Sequence, residues 1–286
     1  MLIIGYLGAL LIGLVLGLIG GGGSILTVPI FVYLLDTNPI LATAYSLFVV
    51  GIASLVGAIK NSRNNLVDFK TGFIFAIPAF IGVYIARIYL INIIPEHSYI
   101  NDFILTREMA IMLFFALLML VAAFFMINSK IVDKKESKIK YKFPLLAIEG
   151  LVVGALTGLV GAGGGFLIIP ALVLFARLSM KKAVATSLMI IAIKNLAGFL
   201  ADIGLVDFLL GKFYFPLIYD SWIPPSKFVT NYFIDWSLLI LFTSISIVGI
   251  FVGLYLNNFI DGKKLKKGFG WFIFIMAISI LIKEFI

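Results

Sequence analysis

The chain has 286 residues, of which 62% are hydrophobic and 13% are charged, and its mean hydropathy is +1.17. Soluble domains are about half apolar and about a quarter charged, so these residues cannot solvate a globular surface of this size. The composition predicts an integral membrane protein, and it excludes a soluble enzyme or a nucleic-acid-binding module despite the net charge of +8. With no cysteine and a single histidine, His97, clusters of thiolate or histidine ligands are excluded as well.

Apolar runs of crossing length recur along the chain. A helix needs about 20 apolar residues to cross a bilayer, and every crossing must satisfy its own backbone hydrogen bonds. We find no stretch with the alternating pattern of a half-buried strand. The predicted full crossings are 41–59, 72–94, 109–128, 183–203, 234–256 and 268–286. The sequence therefore predicts an all-α polytopic membrane protein.

Two further apolar runs are too long for one crossing, and glycines interrupt each of them. Residues 2–35 contain GGGG at 20–23, and residues 144–176 contain GAGGG at 161–165. Glycine costs about 1 kcal/mol relative to alanine inside a helix, so consecutive glycines unwind it. Each run is predicted to form a hairpin of two helical arms, and we call residues 20–23 and 161–165 the first and second glycine breaks.

The two breaks belong to an internal repeat. Shifting the chain by 141 residues superposes 13–59 on 154–200 without a gap, and we call positions related by this shift equivalent. The identical pairs include Gly13/Gly154, Gly17/Gly158, Gly20/Gly161, Gly22/Gly163, Gly23/Gly164, Pro29/Pro170, Ser46/Ser187 and Gly57/Gly198. Shared apolar composition does not explain this register of glycine and proline. We therefore predict two transmembrane repeats, 1–127 and 143–286, joined by a lysine-rich cytoplasmic linker at 128–142.

The positions of Lys and Arg predict the orientation, because cytoplasmic loops carry the excess of these residues. The basic loops are 60–70, 128–142, 177–182 and 261–267, whereas 36–40, 95–108 and 204–233 are not basic. Placing the basic loops inside puts both termini outside, and each repeat then contains one hairpin and three crossings. The repeats are predicted to be inverted, whether the hairpins re-enter or cross twice. Many secondary transporters have this architecture and bind substrate near the midplane.

The glycine breaks predict an anion site. Helix is expected to resume at Ser24 and at Phe166, and a helix N-terminus offers free N–H groups and the positive end of the dipole. The candidate residues are Gly21, Gly22, Gly23 and Ser24 in the first repeat and Ala162, Gly163, Gly164 and Gly165 in the second. For the spaced glycines Gly13, Gly17, Gly154 and Gly158, close helix packing is the expected role.

Polar residues inside predicted crossings are costly and therefore informative. Lys194 lies near the middle of 183–203 with no acid one turn away, which favours a counter-charge for a substrate, although pairing with Glu149 stays open. Asn195, Thr186, Ser187 and Ser46 are candidate neutral donors, while each hydroxyl could instead bond helix backbone. Arg87, toward the outer end of 72–94, is expected to snorkel to the interface. The aromatic segment 204–233 fits an external interfacial belt or a short lid.

The glycine motifs resemble a known family. GLIGGGGSILTVPIF in the first repeat and GLVGAGGGFLIIPALV in the second, with AVATSL at 183–188, are similar to the repeated signature of the TauE/SafE family of sulfite and organosulfonate exporters. The resemblance implies an anion permease for small sulfur-containing acids, in the cytoplasmic membrane of a prokaryote.

The sequence thus favours a secondary transporter for small oxyanions that works by alternating access. A passive anion channel, whose pore could use the same helix ends, is the alternative. No GxxxxGK[ST] motif for ATP hydrolysis is present, and the lack of a nucleophile with a base argues against an enzyme. We expect no cofactor or metal and no nucleic acid; the partners are a small anion and the lipid bilayer. A coupling proton or sodium ion and a homo-oligomer are left open.

Overall fold

A computed structural model of the chain describes residues 2–95, 97–100, 103–128, 143–161, 163–174, 176–203, 234–257, 259 and 262–285. Three predictions concern residues outside this set. They are the lysine-rich linker, the aromatic segment 204–233 and the site residue Ala162.

Helices make up most of the described chain. In order they are α1 (Leu2–Ile19), a 3₁₀ helix (Gly22–Leu26), α2 (Thr27–Pro29), a π segment (Ile30–Leu34), α3 (Pro39–Arg63), α4 (Phe69–Ile85), a π segment (Ala86–Leu90), α5 (Ile91–Ile93), α6 (Arg107–Asn128), α7 (Phe143–Val160), α8 (Gly165–Leu174), α9 (Met180–Asp202), α10 (Trp236–Leu256) and α11 (Gly262–Phe285). The all-α prediction is confirmed for the bundle itself.

Five described helices are long and apolar enough to cross a membrane: Pro39–Arg63, Phe69–Leu90, Arg107–Phe125, Met180–Asp202 and Trp236–Leu256. The two glycine-broken regions contribute shorter apolar helices, as the predicted hairpins require. Large apolar side chains on the outer helices are exposed, among them Phe73, Ile77, Leu117, Phe124 and Ile240. An apolar surface of this extent is what a bilayer covers.

The loop 95–108 differs from the sequence prediction, because it contains a short antiparallel hairpin. Strand β1 (His97–Ile100) pairs with β2 (Phe103–Thr106), with His97 opposite Thr106. Four residues per strand are too few to show the alternation by which strands are recognised. The prediction that the chain has no strands was therefore wrong at this loop, although the hairpin lies outside the helical bundle.

Equivalent positions of the two repeats adopt the same unusual backbone conformations. Gly20 and Gly161 have φ values of +78° and +70°, and Asp36 and Arg177 have φ values of +53° and +52°. Glycine adopts positive φ without strain, whereas aspartate and arginine do so at a cost. The chain therefore turns in the same way after each hairpin arm in both halves.

The largest helix contacts join one repeat to the other. Helix α1 packs on α10, α7 on α4, α3 on α9 and α6 on α11. Glycines make the first two contacts close: a Cβ at Gly13 would collide with the backbone of Ser246, and one at Gly154 with the backbone of Ala79. Gly17 and Gly158 make similar contacts. Their predicted packing role is confirmed, and α3 and α9 form the buried centre of the bundle.

Candidate functional site

Each glycine break ends one helical arm and begins the next. Helix α1 ends at Ile19, and Gly20 takes a left-handed conformation. A 3₁₀ helix then begins at Gly22, two residues before Ser24, where the sequence predicted that helix would resume. In the second break, α8 begins at Gly165, one residue before the predicted Phe166. The hydroxyl of Ser24 donates to the Gly21 carbonyl at 2.7 Å, which closes this first turn.

The two breaks meet in the interior. A Cβ at Gly21 would overlap the Cα atom of Gly165, and a Cβ at Gly165 would overlap that of Gly21. Gly163 lies against the side chain of Ser24 in the same way. Because only glycines allow this approach, the backbones of the two repeats are in direct contact here.

Gly23 and Gly164 hold each hairpin together. A Cβ at Gly23 would meet the backbone of Ile12 and Leu16 in α1, and a Cβ at Gly164 would meet the side chain of Thr157 in α7. Gly23 and Gly164 are equivalent positions, and each packs against the first arm of its own hairpin. These two glycines therefore serve the hairpin, whereas Gly21, Gly163 and Gly165 face the opposite repeat.

Ser187 and Ser46 are equivalent buried hydroxyls with different surroundings. The Ser187 hydroxyl donates to the carbonyl of Gly20 at 2.7 Å and also contacts the Val184 carbonyl at 2.8 Å. It thereby satisfies a carbonyl that the first break has released from helix. The Ser46 hydroxyl is fully buried and has no hydrogen-bond partner in the described structure. Ser46 thus remains a donor that a ligand could use.

Thr186 takes part in a contact that both repeats share. Its hydroxyl accepts a hydrogen bond at 2.9 Å from the backbone N–H of Asp68, the N-cap residue of α4. The equivalent Tyr45 hydroxyl accepts one at 2.7 Å from the N–H of Asp235, the N-cap residue of α10. Each hydroxyl therefore fastens a helix start of the opposite repeat, and this accounts for the burial of Thr186 without a ligand.

Lys194 is completely buried in the middle of α9. Its ammonium donates to the Thr157 hydroxyl at 2.8 Å and to the Asn195 side-chain oxygen at 3.0 Å, while the Asn195 side-chain nitrogen has no hydrogen-bond partner. Glu149 precedes Thr157 by eight residues on α7, which is about 12 Å of helix. The geometry thus places the ammonium beside the second glycine break and does not favour its pairing with Glu149.

Arg87 does not snorkel, and that prediction was wrong. Its side chain is buried, and its Nη2 atom lies 3.3 Å from Oδ2 of Asp202, which is buried as well. The Nη1 atom donates to the Thr43 hydroxyl at 2.9 Å. Arg87 lies in the π segment after α4, and the wider turn aims it inward between α3 and α9. The sequence signal was an acid, Asp202, at the end of one crossing and an arginine within another.

Three ionisable side chains are buried in this part of the described structure: Lys194, Arg87 and Asp202. Such residues inside crossings are costly, and they commonly mark a pathway for ions or charged substrates.

The family model of the sulfite exporter TauE/SafE family matches residues 5–226 of the chain. Since this is more than half of the sequence, the chain belongs to that family, which confirms the resemblance of its glycine motifs. The fold described above agrees with a polytopic membrane protein.

Curated relatives are similar over shorter stretches. A probable membrane transporter protein of Xylella fastidiosa is 28% identical over 184 residues, which is 63% of this chain and 65% of that protein. A probable membrane transporter protein of Methanocaldococcus jannaschii is 26% identical over 201 residues, or 67% of this chain and 70% of that protein. The probable membrane transporter protein YunE of Bacillus subtilis is 30% identical over 203 residues, or 66% and 73%. The aligned part thus covers slightly less than two thirds of the Xylella protein.

Proposed function

We propose that this protein is a secondary transporter that moves small oxyanions of the sulfite or organosulfonate class across the cytoplasmic membrane. The observation that carries the proposal is the burial of Lys194 beside the second glycine break, where its ammonium donates to Thr157 and Asn195 and Thr157 lies against Gly164. An anion bound there would stabilise the buried ammonium, and the sulfur oxyanion class is taken from the name of the family.

The proposed anion site lies where the second glycine break approaches Lys194. The unpartnered side-chain nitrogen of Asn195 and the hydroxyl of Ser46 are additional donors. The Gly21–Gly165 contact brings the backbones of the two repeats together, so in this proposal the breaks separate when the anion passes between them. We leave Thr186 and Ser187 out of the proposed site, because backbone groups already occupy their hydroxyls.

The ends of the bundle support alternating access between inverted repeats. At one end, Thr43 of α3 and Asp202 of α9 join Arg87 in a buried polar cluster. Their equivalents at the other end are Val184 and Asn61, and these line an open cavity. One end thus holds a buried ion pair where the corresponding end holds a cavity. Coupling to protons or sodium ions, and the placement of both termini outside, belong to the same proposal.

Lys194 gives the sharpest test of binding. The purified protein should gain thermal stability with sulfite or a sulfonate, and Lys194→Met should abolish that gain without lowering expression. Lys194→Arg should retain part of it, because the charge remains with a different geometry. Lys267→Met is the matched control, since Lys267 is exposed on α11. Unchanged anion binding by Lys194→Met would remove this residue from the site.

Transport itself is tested in proteoliposomes. A carrier should show saturable exchange of labelled sulfite, and exchange should be lost in Lys194→Met and kept in Lys267→Met. Unitary currents carried by sulfite would instead favour the passive channel. If neither exchange nor current appears for sulfite, sulfonates or sulfate, the proposed substrate class is wrong.

Orientation is tested by cysteine labelling. Because the chain has no native cysteine, each introduced cysteine is its only labelling site. A membrane-impermeant reagent on intact cells should label Thr37→Cys and Ile100→Cys but not Lys135→Cys or Lys264→Cys. Thr37 is preferred over its neighbour Asn38, whose side chain caps α3. The reverse pattern would refute the inverted arrangement that we infer from the basic loops.

A further inference from the structure

A cavity of about 520 Å³ opens where α3 and α10 end and α9 begins. Its polar lining residues include Lys60, Lys181, Asn61, Asn64 and Asn257. None of the described residues that line it carries a carboxylate. The volume lies within the range of small-molecule sites, and the lining offers hydrogen-bond donors and positive charge together.

Lys181 is exposed and lies at a helix start, where an anion is favoured over a cation. It lies in the first turn of α9, where the positive end of the helix dipole disfavours a cation, and Ser179 at the N-cap makes no side-chain capping bond. In the first repeat the equivalent cap, Asn38, accepts from the Ile40 amide at 2.9 Å, and Ile40 is the equivalent of Lys181. An anion in the cavity would stabilise both Lys181 and the uncapped helix start.

Lys60 faces the same cavity from the last turn of α3. It is not required to cap that helix, because the Asn61 carbonyl already accepts from the amides of Asn64 at 3.2 Å and Leu66 at 3.1 Å. Two ammonium groups on the walls of one cavity repel each other in the absence of an intervening negative charge. The equivalents of Lys60 and Lys181 are Ala201 and Ile40, so this pair of lysines is specific to one end of the bundle.

The cavity adjoins the first glycine break. Val184 lines it, and a Cβ at Gly20 would meet Val184. We infer that the cavity is an oxyanion-binding site in which Lys60, Lys181 and the surrounding carboxamides hold a sulfate, sulfite, sulfonate or phosphate group. This cavity is a binding site separate from Lys194. Its further role, as the place from which an anion reaches the first glycine break, rests on the proposed transport function.

The test is labelling of a cysteine inside the cavity of the full chain, reconstituted in phosphatidylcholine nanodiscs. Tyr255→Cys places the thiol in the lining and keeps every lysine and asparagine, and Gly268→Cys is an exposed control with open space around it. Sulfate should slow labelling severalfold in Tyr255→Cys and not in Gly268→Cys. The ratio of the labelling rates with anionic and cationic methanethiosulfonates then reports the local electrostatic potential.

Charge variants in the Tyr255→Cys background identify the lysines. A unit charge about 6 Å away in water changes the local concentration of a monovalent ion by about threefold, so the anionic-to-cationic rate ratio should fall about tenfold for Lys60→Met or for Lys181→Met. Protection by sulfate should also disappear in both. Lys267→Met, at an exposed lysine outside the cavity, should change neither quantity.

The same assay with phosphatidylglycerol in the nanodisc distinguishes a lipid headgroup from a free anion. If the lipid itself slows labelling and removes the sulfate effect, the occupant is a headgroup; if sulfate protects equally in both membranes, it is a free oxyanion. Absence of protection in both membranes, or equal protection in the Lys60→Met, Lys181→Met double variant, would overturn the site. Because labelling does not need transport, protection without sulfite exchange would contradict only the proposed function.

Discussion

Removing Arg87 should destabilise the protein far more than removing Lys194, although both cations are buried. Arg87 has a carboxylate partner at 3.3 Å, and Arg87→Met leaves Asp202 buried without it. Breaking a buried pair from one side costs about 3–5 kcal/mol, which is roughly a 150- to 5,000-fold change in the unfolding equilibrium. Lys194 cannot replace the arginine as the partner of Asp202, because Lys194 lies eight residues before Asp202 on α9, which is about 12 Å of helix.

Lys194→Met, in contrast, is expected to leave the free energy of unfolding nearly unchanged or to raise it. Its hydrogen-bond partners include the neutral side chains of Thr157 and Asn195. The free energy of unfolding without ligand should stay within about 1 kcal/mol of wild type or rise, because the desolvation cost of the ammonium disappears.

The assay is SDS titration followed by circular dichroism, with and without sulfite. Arg87→Met should unfold at lower SDS in both conditions, whereas Lys194→Met should lose only the gain that sulfite gives. The double variant Arg87→Met, Asp202→Asn should recover most of the lost stability, since neither charge is then buried alone. Wild-type stability of Arg87→Met, or no recovery in the double variant, would refute the ion pair as the source of the effect.

Two further predictions use matched positions. Gly21→Ala should abolish sulfite exchange and lower the folding yield, because its Cβ overlaps the backbone of Gly165. Gly268→Ala, which has nothing within 4 Å of its Cβ, should be neutral in both measurements. Normal exchange by Gly21→Ala would contradict the close backbone contact. Ser187→Ala should cost about 1–3 kcal/mol in the same SDS titration, because it strands a buried carbonyl of the first break. The equivalent Ser46→Ala removes a hydroxyl that has no partner and should be neutral or stabilising, so equal effects of the two serine changes would disprove this difference.

The glycine register shows how much of this structure could be predicted from sequence. Runs of glycine inside apolar segments have few physical uses, so their repetition at Gly20 and Gly161 predicts both breaks and their relation from the sequence alone. The packing glycines Gly13 and Gly154 were predictable for the same reason, since small residues at helical spacing allow close approach.

Side-chain direction was not predictable. Hydropathy identified the crossing that contains Arg87, but whether a long side chain reaches the interface or turns inward depends on the local helix geometry, here a π segment, and on a partner more than a hundred residues away. The same limit applies to Thr186, whose hydroxyl is occupied by the start of α4. Nothing local in the sequence distinguishes that contact from a ligand site.

By itself, the sequence determined the membrane class, the glycine-broken hairpins, their repetition and the burial of Lys194, because each follows from the cost of placing particular residues in an apolar span. The tertiary structure decided which groups meet: that Gly21 contacts Gly165, that Arg87 pairs with Asp202, and that Lys60 and Lys181 share a cavity. These contacts join residues far apart in the chain, and their geometry depends on how α3 and α9 pack against the other helices, which no local pattern encodes.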